Sequence, residues 1–300
     1  MSHVRNVIRI VYMILIINLC EGQLIDKNRK IPDECGLVTT SDRIINGLNA
    51  TLGQFPFMAL LGYTRNVFQV NLVQFVCGGT IITEEYILTA AHCFGVTLTF
   101  VRLGELDTRN NTDCVDVDGI VECGEPFIDI YIENKIIHSD FNSDNFKNDI
   151  ALIKVAKKIK FTDYVQPICL PFNVDIDLEQ SPLIVSGWGT TTTSTSMSSS
   201  LLQYALINTW QTKICNNLLS PAIRPLTETQ ICGNGKNGQD ACRGDSGGPL
   251  FAVESIDFRL RYFQIGVVSF GATSGCGDPN LPSVYTDIRK YLNWILRNIQ

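Results

Sequence analysis

The sequence predicts an all-β fold, a barrel or a sandwich, finished by one C-terminal helix. Three observations lead there. Short runs of β-branched and aromatic residues recur along the chain, each bounded by Gly, Asn, Asp or Pro. Long helical periodicity is mostly missing before the last residues. Near the end, Ile288, Tyr291, Leu292, Ile295 and Ile299 repeat at helical spacing after Asp287, a helix-start residue.

In chain order the strand runs include Phe57–Tyr63, Thr80–Ile82, Ile87–Thr89, Ile128–Ile137, Ile150–Val155, Leu183–Ser186, Leu250–Val253 and Tyr262–Phe270. Their regular spacing suits a closed or layered sheet. Between Tyr63 and Gln74 the reading is a surface loop. Thr190–Ser200 is almost entirely Thr and Ser, so it reads as a surface loop too, and it contains no Lys or Arg. No repeat of 20–50 residues is visible.

The chain has 300 residues, with 45% hydrophobic and 18% charged content, a globular composition with room for one or two cores. The net charge is −6, without long runs of one sign, which argues against nucleic acid as a partner. Arg5 and Arg9 precede an apolar run, Ile10–Ile17, and Gly22 supplies a small residue after it. This order of charged, apolar and small segments predicts a signal peptide over residues 1–22 and a secreted, extracellular protein. The alternative, a membrane anchor, needs a longer uninterrupted run.

Cys20 leaves with that signal, so ten of the 11 cysteines remain: Cys35, Cys77, Cys93, Cys114, Cys123, Cys169, Cys215, Cys232, Cys242 and Cys276. An even number in an oxidising compartment predicts five disulfides. A zinc site is the competing reading, but no two pairs show C-x2-C spacing. Asn49-Ala-Thr51 and Asn110-Asn-Thr112 are acceptor sequons for N-glycosylation at Asn49 and Asn110.

Three short segments carry chemistry: Thr89-Ala-Ala-His-Cys93, Asn148-Asp-Ile-Ala-Leu152 and Gly244-Asp-Ser-Gly-Gly-Pro249. Each alone has a bland reading as a structural histidine, a turn-capping aspartate or a glycine turn. Together, in the order His, Asp, Ser, and with Arg43-Ile-Ile-Asn-Gly47, Cys77-Gly-Gly79, Ser186-Gly-Trp-Gly189 and Ser269-Phe-Gly271, they resemble the chymotrypsin/trypsin family of serine peptidases. The resemblance runs from Ile44 to Gln300.

It implies two six-stranded antiparallel β-barrels with a cleft between them. Roughly Ile44–Val155 builds the first barrel and the remainder the second, together a peptidase domain over 44–300. His92 takes the Ser246 proton and passes it to the leaving amine, because an imidazole titrates near neutrality. Asp149 orients the imidazole and stabilises its cation. The N–H groups of Gly244 and Ser246 receive the developing oxyanion. Ser269 supports Asp149 beside the substrate channel. Asp240 is the floor of the primary pocket and selects Lys or Arg; Gly271 forms one wall. Ser283 stands on the opposite wall, where trypsins usually carry glycine, and narrows the slot. Arg243 either favours nearby acidic substrate residues or is an exposed side chain with no specific role.

The resemblance also implies a precursor. Cleavage of Arg43–Ile44 frees the Ile44 amine, which pairs with Asp245 and shapes the oxyanion hole and pocket. Residues 23–43 then form a propeptide or light chain, tethered by Cys35–Cys169. The further implied pairs are Cys77–Cys93, Cys215–Cys232 and Cys242–Cys276, leaving Cys114 with Cys123. That last pair, after Arg102-Leu-Gly-Glu-Leu-Asp107, is similar to the catalytic domains of arthropod clip-domain (easter-like) proteases and of venom proteases. A clip domain needs six cysteines upstream, and only Cys35 is present there. Glu105 and its neighbours resemble a calcium-binding loop in some relatives, or else form a solvated acidic loop. No cofactor is required beyond that structural calcium. The implied partners are protein substrates cut after Arg or Lys, an upstream activating protease and serpin-type inhibitors. The setting is a melanisation or Toll-type cascade. The alternatives are a venom or salivary effector and a non-catalytic homologue, though all three triad residues are retained.

Overall fold

The computed structural model describes residues 31–38, 49–95, 97–191, 198–219, 223, 225–235, 239–271, 278 and 280–299. The signal segment 1–22, the Arg43–Ile44 bond, Cys276 and most of the Thr/Ser stretch lie outside the described residues. No helix among the described residues is long and apolar enough to cross a membrane.

Asp33–Gln300 forms one compact body. Among the described residues its strands run β1 (Met58–Val67), β2 (Val70–Ile81), β3 (Tyr86–Thr89), β4 (Leu98–Leu103), β5 (Cys114–Val117), β6 (Ile120–Cys123), β7 (Ile128–Ile137), β8 (Ala151–Val155), β9 (Leu183–Gly187), β10 (Gln203–Thr209), β11 (Gln230–Gly235), β12 (Pro249–Ile256), β13 (Arg259–Gly271) and β14 (Ser283–Asp287). They close into two antiparallel barrels, ordered β1-β2-β3-β8-β7-β4 and β10-β11-β14-β13-β12-β9. Closure removes open sheet edges and selects the barrel over the sandwich. β5 and β6 form a separate hairpin, clipped by a cross-strand Cys114–Cys123 disulfide. The first barrel ends with β8 at Val155, where the sequence placed its limit.

Apolar side chains fill both barrels, and an aromatic cluster joins them. Phe55 and Phe57, ahead of β1, meet Phe251 of β12 and Tyr262 of β13 edge-on at 5.2–5.7 Å between centroids. Such tilted contacts add to the burial that holds two barrels as one unit. The terminal helix α2 (Leu292–Asn298) follows a 3₁₀ turn at Ile288–Lys290. Ile288, Tyr291, Ile295 and Ile299 are buried, and Leu292 is only half-buried. Asp287 caps the turn by accepting from the Arg289 N–H at 3.1 Å. A second helix, α1 (Thr212–Leu218), is pinned by Cys215–Cys232.

Two sequence readings change. Tyr63–Gln74 is a β-hairpin, not a loop: β1 and β2 stay paired out to Val67 and Val70. Its turn residues Phe68 and Gln69 have φ of 49° and 66°. That left-handed geometry normally announces itself as Asn-Gly, so no turn signal marked the reversal. Helix α1 was also missed, because seven residues with only Cys215 buried carry no helical stripe.

Cys35 is joined to Cys169, and Gly36 donates to Pro167 O at 2.8 Å while Leu37 bridges Arg261 of β13. Gly36 has φ +57°, and a Cβ there would strike the Tyr262 carbonyl, so only glycine lets this segment lie flat on β13. Cys77 and Cys93 are bonded, which uses two of the three possible ligands in the Cys77/His92/Cys93 cluster. Cys242 is also in a disulfide.

Candidate active site

His92 sits in a 3₁₀ turn, Ala91–Cys93, at the end of β3. Two restraints fix the turn: the Cys77–Cys93 disulfide and a hydrogen bond from the Tyr63 hydroxyl to Cys93 O at 2.7 Å. Asp149 precedes β8 and is completely buried. Its Oδ1 accepts from the His92 backbone N–H at 2.9 Å, and its Oδ2 lies 2.7 Å from His92 Nδ1. Ser269 Oγ donates to the same Oδ2 at 2.5 Å. An ionised carboxylate can only accept, so Nδ1 carries its proton and Nε2 is left as the basic nitrogen. Ser269 therefore points at the aspartate.

Further residues hold Asp149 that the sequence did not single out. Thr286 Oγ1 donates to Asp149 O at 2.8 Å, and the Tyr291 hydroxyl donates to Asn148 Oδ1 at 2.8 Å. Asn148 itself adopts φ 54° and donates to Asp140 O. The Asp149 carboxylate thus meets His92 of the first barrel and Ser269 of the second, while Thr286 and Tyr291 hold its backbone and its neighbour Asn148. Phe146 packs edge-on against the His92 ring at 5.7 Å and against Phe270 at 5.1 Å. An aromatic just before Asn-Asp was the available signal for it.

The Ser246 segment meets the first barrel through its backbone. Gly78 N–H donates to Ser246 O at 2.8 Å, and Gly247 N–H donates to Val268 O at 2.8 Å. Ser246 Oγ makes no hydrogen bond to His92 among the described residues; such catalytic contacts commonly tighten only with substrate bound. Gly244 has φ +102°, a conformation that a side chain would strain. Asp245 is buried and accepts from Gly189 N at 2.7 Å and Cys242 N at 2.8 Å. Burial pushes its pKa up to about 6. Gly187 and Gly189 lie so close that a Cβ on either would collide with this carboxyl.

Asp240 follows β11, and its carboxyl reaches Ser283 and Tyr285 of the neighbouring strand β14. Ser283 Oγ donates to its Oδ2 at 2.8 Å; Oδ1 accepts from Ala241 N at 2.8 Å and the Tyr285 hydroxyl at 3.4 Å. Burial raises this carboxyl to about 6, against the lowering effect of those hydrogen bonds. Gly271 is paired with Ser283 across β13 and β14, and its Cβ position would be 3.6 Å from Ser283 Oγ. Arg243 is exposed beside Gly244.

Glu105 is buried at the end of β4. Its Oε2 meets Arg102 at 3.4 Å, while its Oε1 and the buried Asp113 Oδ1 have no hydrogen-bond partner. Burial, then the Asp113 charge, raises Glu105 to about 7. Two hard oxygens, buried and unpaired, fit a calcium ion chemically.

Buried Asp, oriented His and a serine at a barrel interface can perform acyl transfer. The serine adds to a carbonyl, the imidazole takes and returns the proton, and backbone N–H groups hold the oxyanion. The family model described as "Trypsin" matches residues 44–295. Serine protease ea of Drosophila melanogaster is 39% identical over 283 residues, covering 90% of this chain and 70% of that protein. Melanization protease 1 of the same species is 38% identical, covering 86% of this chain and 66% of its own length. The crystal structure of the Drosophila Grass clip serine protease of the Toll pathway superposes with a TM-score of 0.77 at 34% identity, covering 91% of this chain and 75% of that one. Fold, site and sequence agree: this chain belongs to the trypsin family and is a serine endopeptidase.

Proposed function

We propose that the protein is a secreted trypsin-like endopeptidase, made as a zymogen and cutting protein substrates after Arg or Lys in an insect-type proteolytic cascade. The observation that carries the specificity is Asp240, a half-buried carboxyl held by Ser283 that a cationic side chain can pair with. Residues 1–22 are a signal peptide, 23–43 a light chain held by Cys35–Cys169, and 44–300 the peptidase. Cleavage at Arg43 by an upstream protease frees the Ile44 amine. The buried Asp245 is the group a protonated amine would stabilise as its anion. Glu105 and Asp113 would hold a structural calcium, which offsets two buried like charges. Asn49 and Asn110 are exposed, as glycan acceptors must be. Cascade membership is supported by the relatives, and serpin-type inhibitors are the expected control.

The test is hydrolysis of matched Arg, Lys and Phe chromogenic peptides before and after cleavage at Arg43, with Ser246→Ala as control. Turnover of Arg or Lys peptides only after cleavage is expected. A preference for Phe would overturn the pocket assignment and leave the triad intact.

A further inference from the structure

We propose that His138 is a positioning residue for the triad aspartate, and that it does this only as the neutral imidazole. This rests on Asp149 acting in the triad. His138 follows β7, on the stretch of chain that leads to Asp149. Its backbone N–H donates at 3.2 Å to the carbonyl of Ile150, the residue after Asp149, and its own carbonyl accepts from Phe141 N at 3.0 Å. Its ring extends the same support. Nδ1 accepts from the Asp140 N–H at 3.2 Å, Asp140 O accepts from Asn148 Nδ2 at 2.9 Å, and Asn148 Oδ1 accepts from the Tyr291 hydroxyl at 2.8 Å. The Tyr291 ring returns edge-on to His138 at 5.4 Å between centroids, and Trp294 of α2 lies against it at 5.3 Å. His138, Asp140, Asn148 and Tyr291 thus form a closed circuit, and Asn148 immediately precedes the triad carboxylate.

Asn148 holds φ 54°, a left-handed conformation that asparagine tolerates and that its surroundings must maintain. The circuit grips both ends of its side-chain amide. A backbone N–H can only donate, so the Asp140 contact needs a lone pair on Nδ1 and places the neutral ring's proton on Nε2. Protonation of Nδ1 sets two donors face to face, and the contact becomes repulsive. The Asp140 carboxylate and the Trp294 face both favour a cation, but neither accepts from Nδ1 in this arrangement, and Ser139 Oγ already donates to Asp140 Oδ1 at 3.3 Å. From the turn before α2 the ring faces Tyr291, a phenol that burial keeps neutral; β8 meets it through the Ile150 backbone. Burial outweighs the Asp140 charge and lowers the His138 pKa. The circuit is therefore complete above the ordinary imidazole value of about 6.5 and weakens as pH falls below it. Its loss frees Asn148, and with it the carboxylate that orients His92. The acid limb of the reaction then carries a second proton besides the one on His92.

The experiment uses the full chain cut at Arg43 and an Arg chromogenic peptide. Two variants separate the roles of the ring. His138→Phe keeps an aromatic against Tyr291 and Trp294 but has no acceptor. His138→Asn offers an amide oxygen in place of Nδ1 and does not titrate. At about pH 8, His138→Phe should lower kcat about tenfold with KM within about twofold, and His138→Asn should restore most of that loss. Below about pH 6.5, log kcat of the wild-type should fall with a slope above about one, and that of His138→Asn with a slope of about one. Nitrogen NMR on the Ser246→Ala protein, which cannot digest itself, should find the His138 proton on Nε2 at about pH 8 and a pKa below about 6.5. That measurement needs no His138 variant to fold. A proton on Nδ1, full kcat in His138→Phe, or equal acid slopes in the wild-type and His138→Asn overturns the proposal. So does a lower Tm in His138→Phe with kcat unchanged, which would leave His138 a structural prop. Wild-type rates from Asp149→Asn would instead sink the triad reading beneath it, with the Nε2 tautomer still in place.

Discussion

Replacing Ser283 by glycine should make the enzyme a better arginine protease. Ser283 Oγ occupies Asp240 Oδ2 at 2.8 Å, and Ala241 N already takes Oδ1. A guanidinium binds as a two-pronged fork and needs both oxygens, whereas an ammonium needs one point of contact. Hydrogen bonds to a charged group contribute about 1.5–3 kcal/mol. Freeing Oδ2 should therefore return roughly 1–2 kcal/mol to the Arg transition state, or about 5–30-fold in kcat/KM, after water refills part of the space. Lys peptides should change by less than about threefold, since the hydroxyl that is lost can also accept from an ammonium. The sign of the pH effect follows from the same contact. Asp240 sits at about 6 because burial outweighs its hydrogen bonds, and the Ser283 bond is one of those pulling it down. Without it the carboxyl protonates at higher pH, and cation binding is lost sooner as pH falls. Benzamidine Ki, measured from pH 5 to 8, isolates this step from His92. A glycine in β14 costs only about 0.5–1 kcal/mol of stability. An unchanged Arg-to-Lys ratio together with an unmoved Ki profile would refute the reasoning.

Four other outcomes are expected. Ser269→Ala removes the hydroxyl donated to Asp149 Oδ2 and should lower kcat about tenfold with KM little changed, as stopped-time assays on Arg peptides can check. Asp245→Asn should still be cut at Arg43 yet turn over almost nothing; wild-type rates from the confirmed two-chain form would contradict the switch. Calcium at 100 times its Kd should raise stability by about 2.7 kcal/mol and Tm by roughly 5–10 °C by calorimetry, and Glu105→Gln should abolish the rise. Without calcium, Glu105 at about 7 lies above its ordinary value, so stability should be full below about pH 4.5 and fall as pH rises through 7.

The two-barrel fold and the His92–Asp149 pair were both legible in the sequence. Triad chemistry is written in contiguous segments around His92, Asp149 and Ser246, and glycines such as Gly244 are dictated by local backbone geometry. What the sequence hides is support from afar. Thr286 and Tyr291 reach Asp149 and Asn148 across sequence separations of 137 and 143 residues, and nothing local marks them. Barrel or sandwich could not be separated by alternation alone, because β9, β11 and β14 are buried on both faces. The pairing of Glu105 with Asp113 was equally hidden, since it depends on how the β5–β6 excursion folds back.

The Cys35–Cys169 bond has a practical side. If Arg43–Ile44 is cut as proposed, an affinity tag placed between residue 23 and Cys35 would stay attached to the catalytic body. One column would then capture dormant and working enzyme alike. The two would differ in mass by a single water until a reductant splits them on a gel.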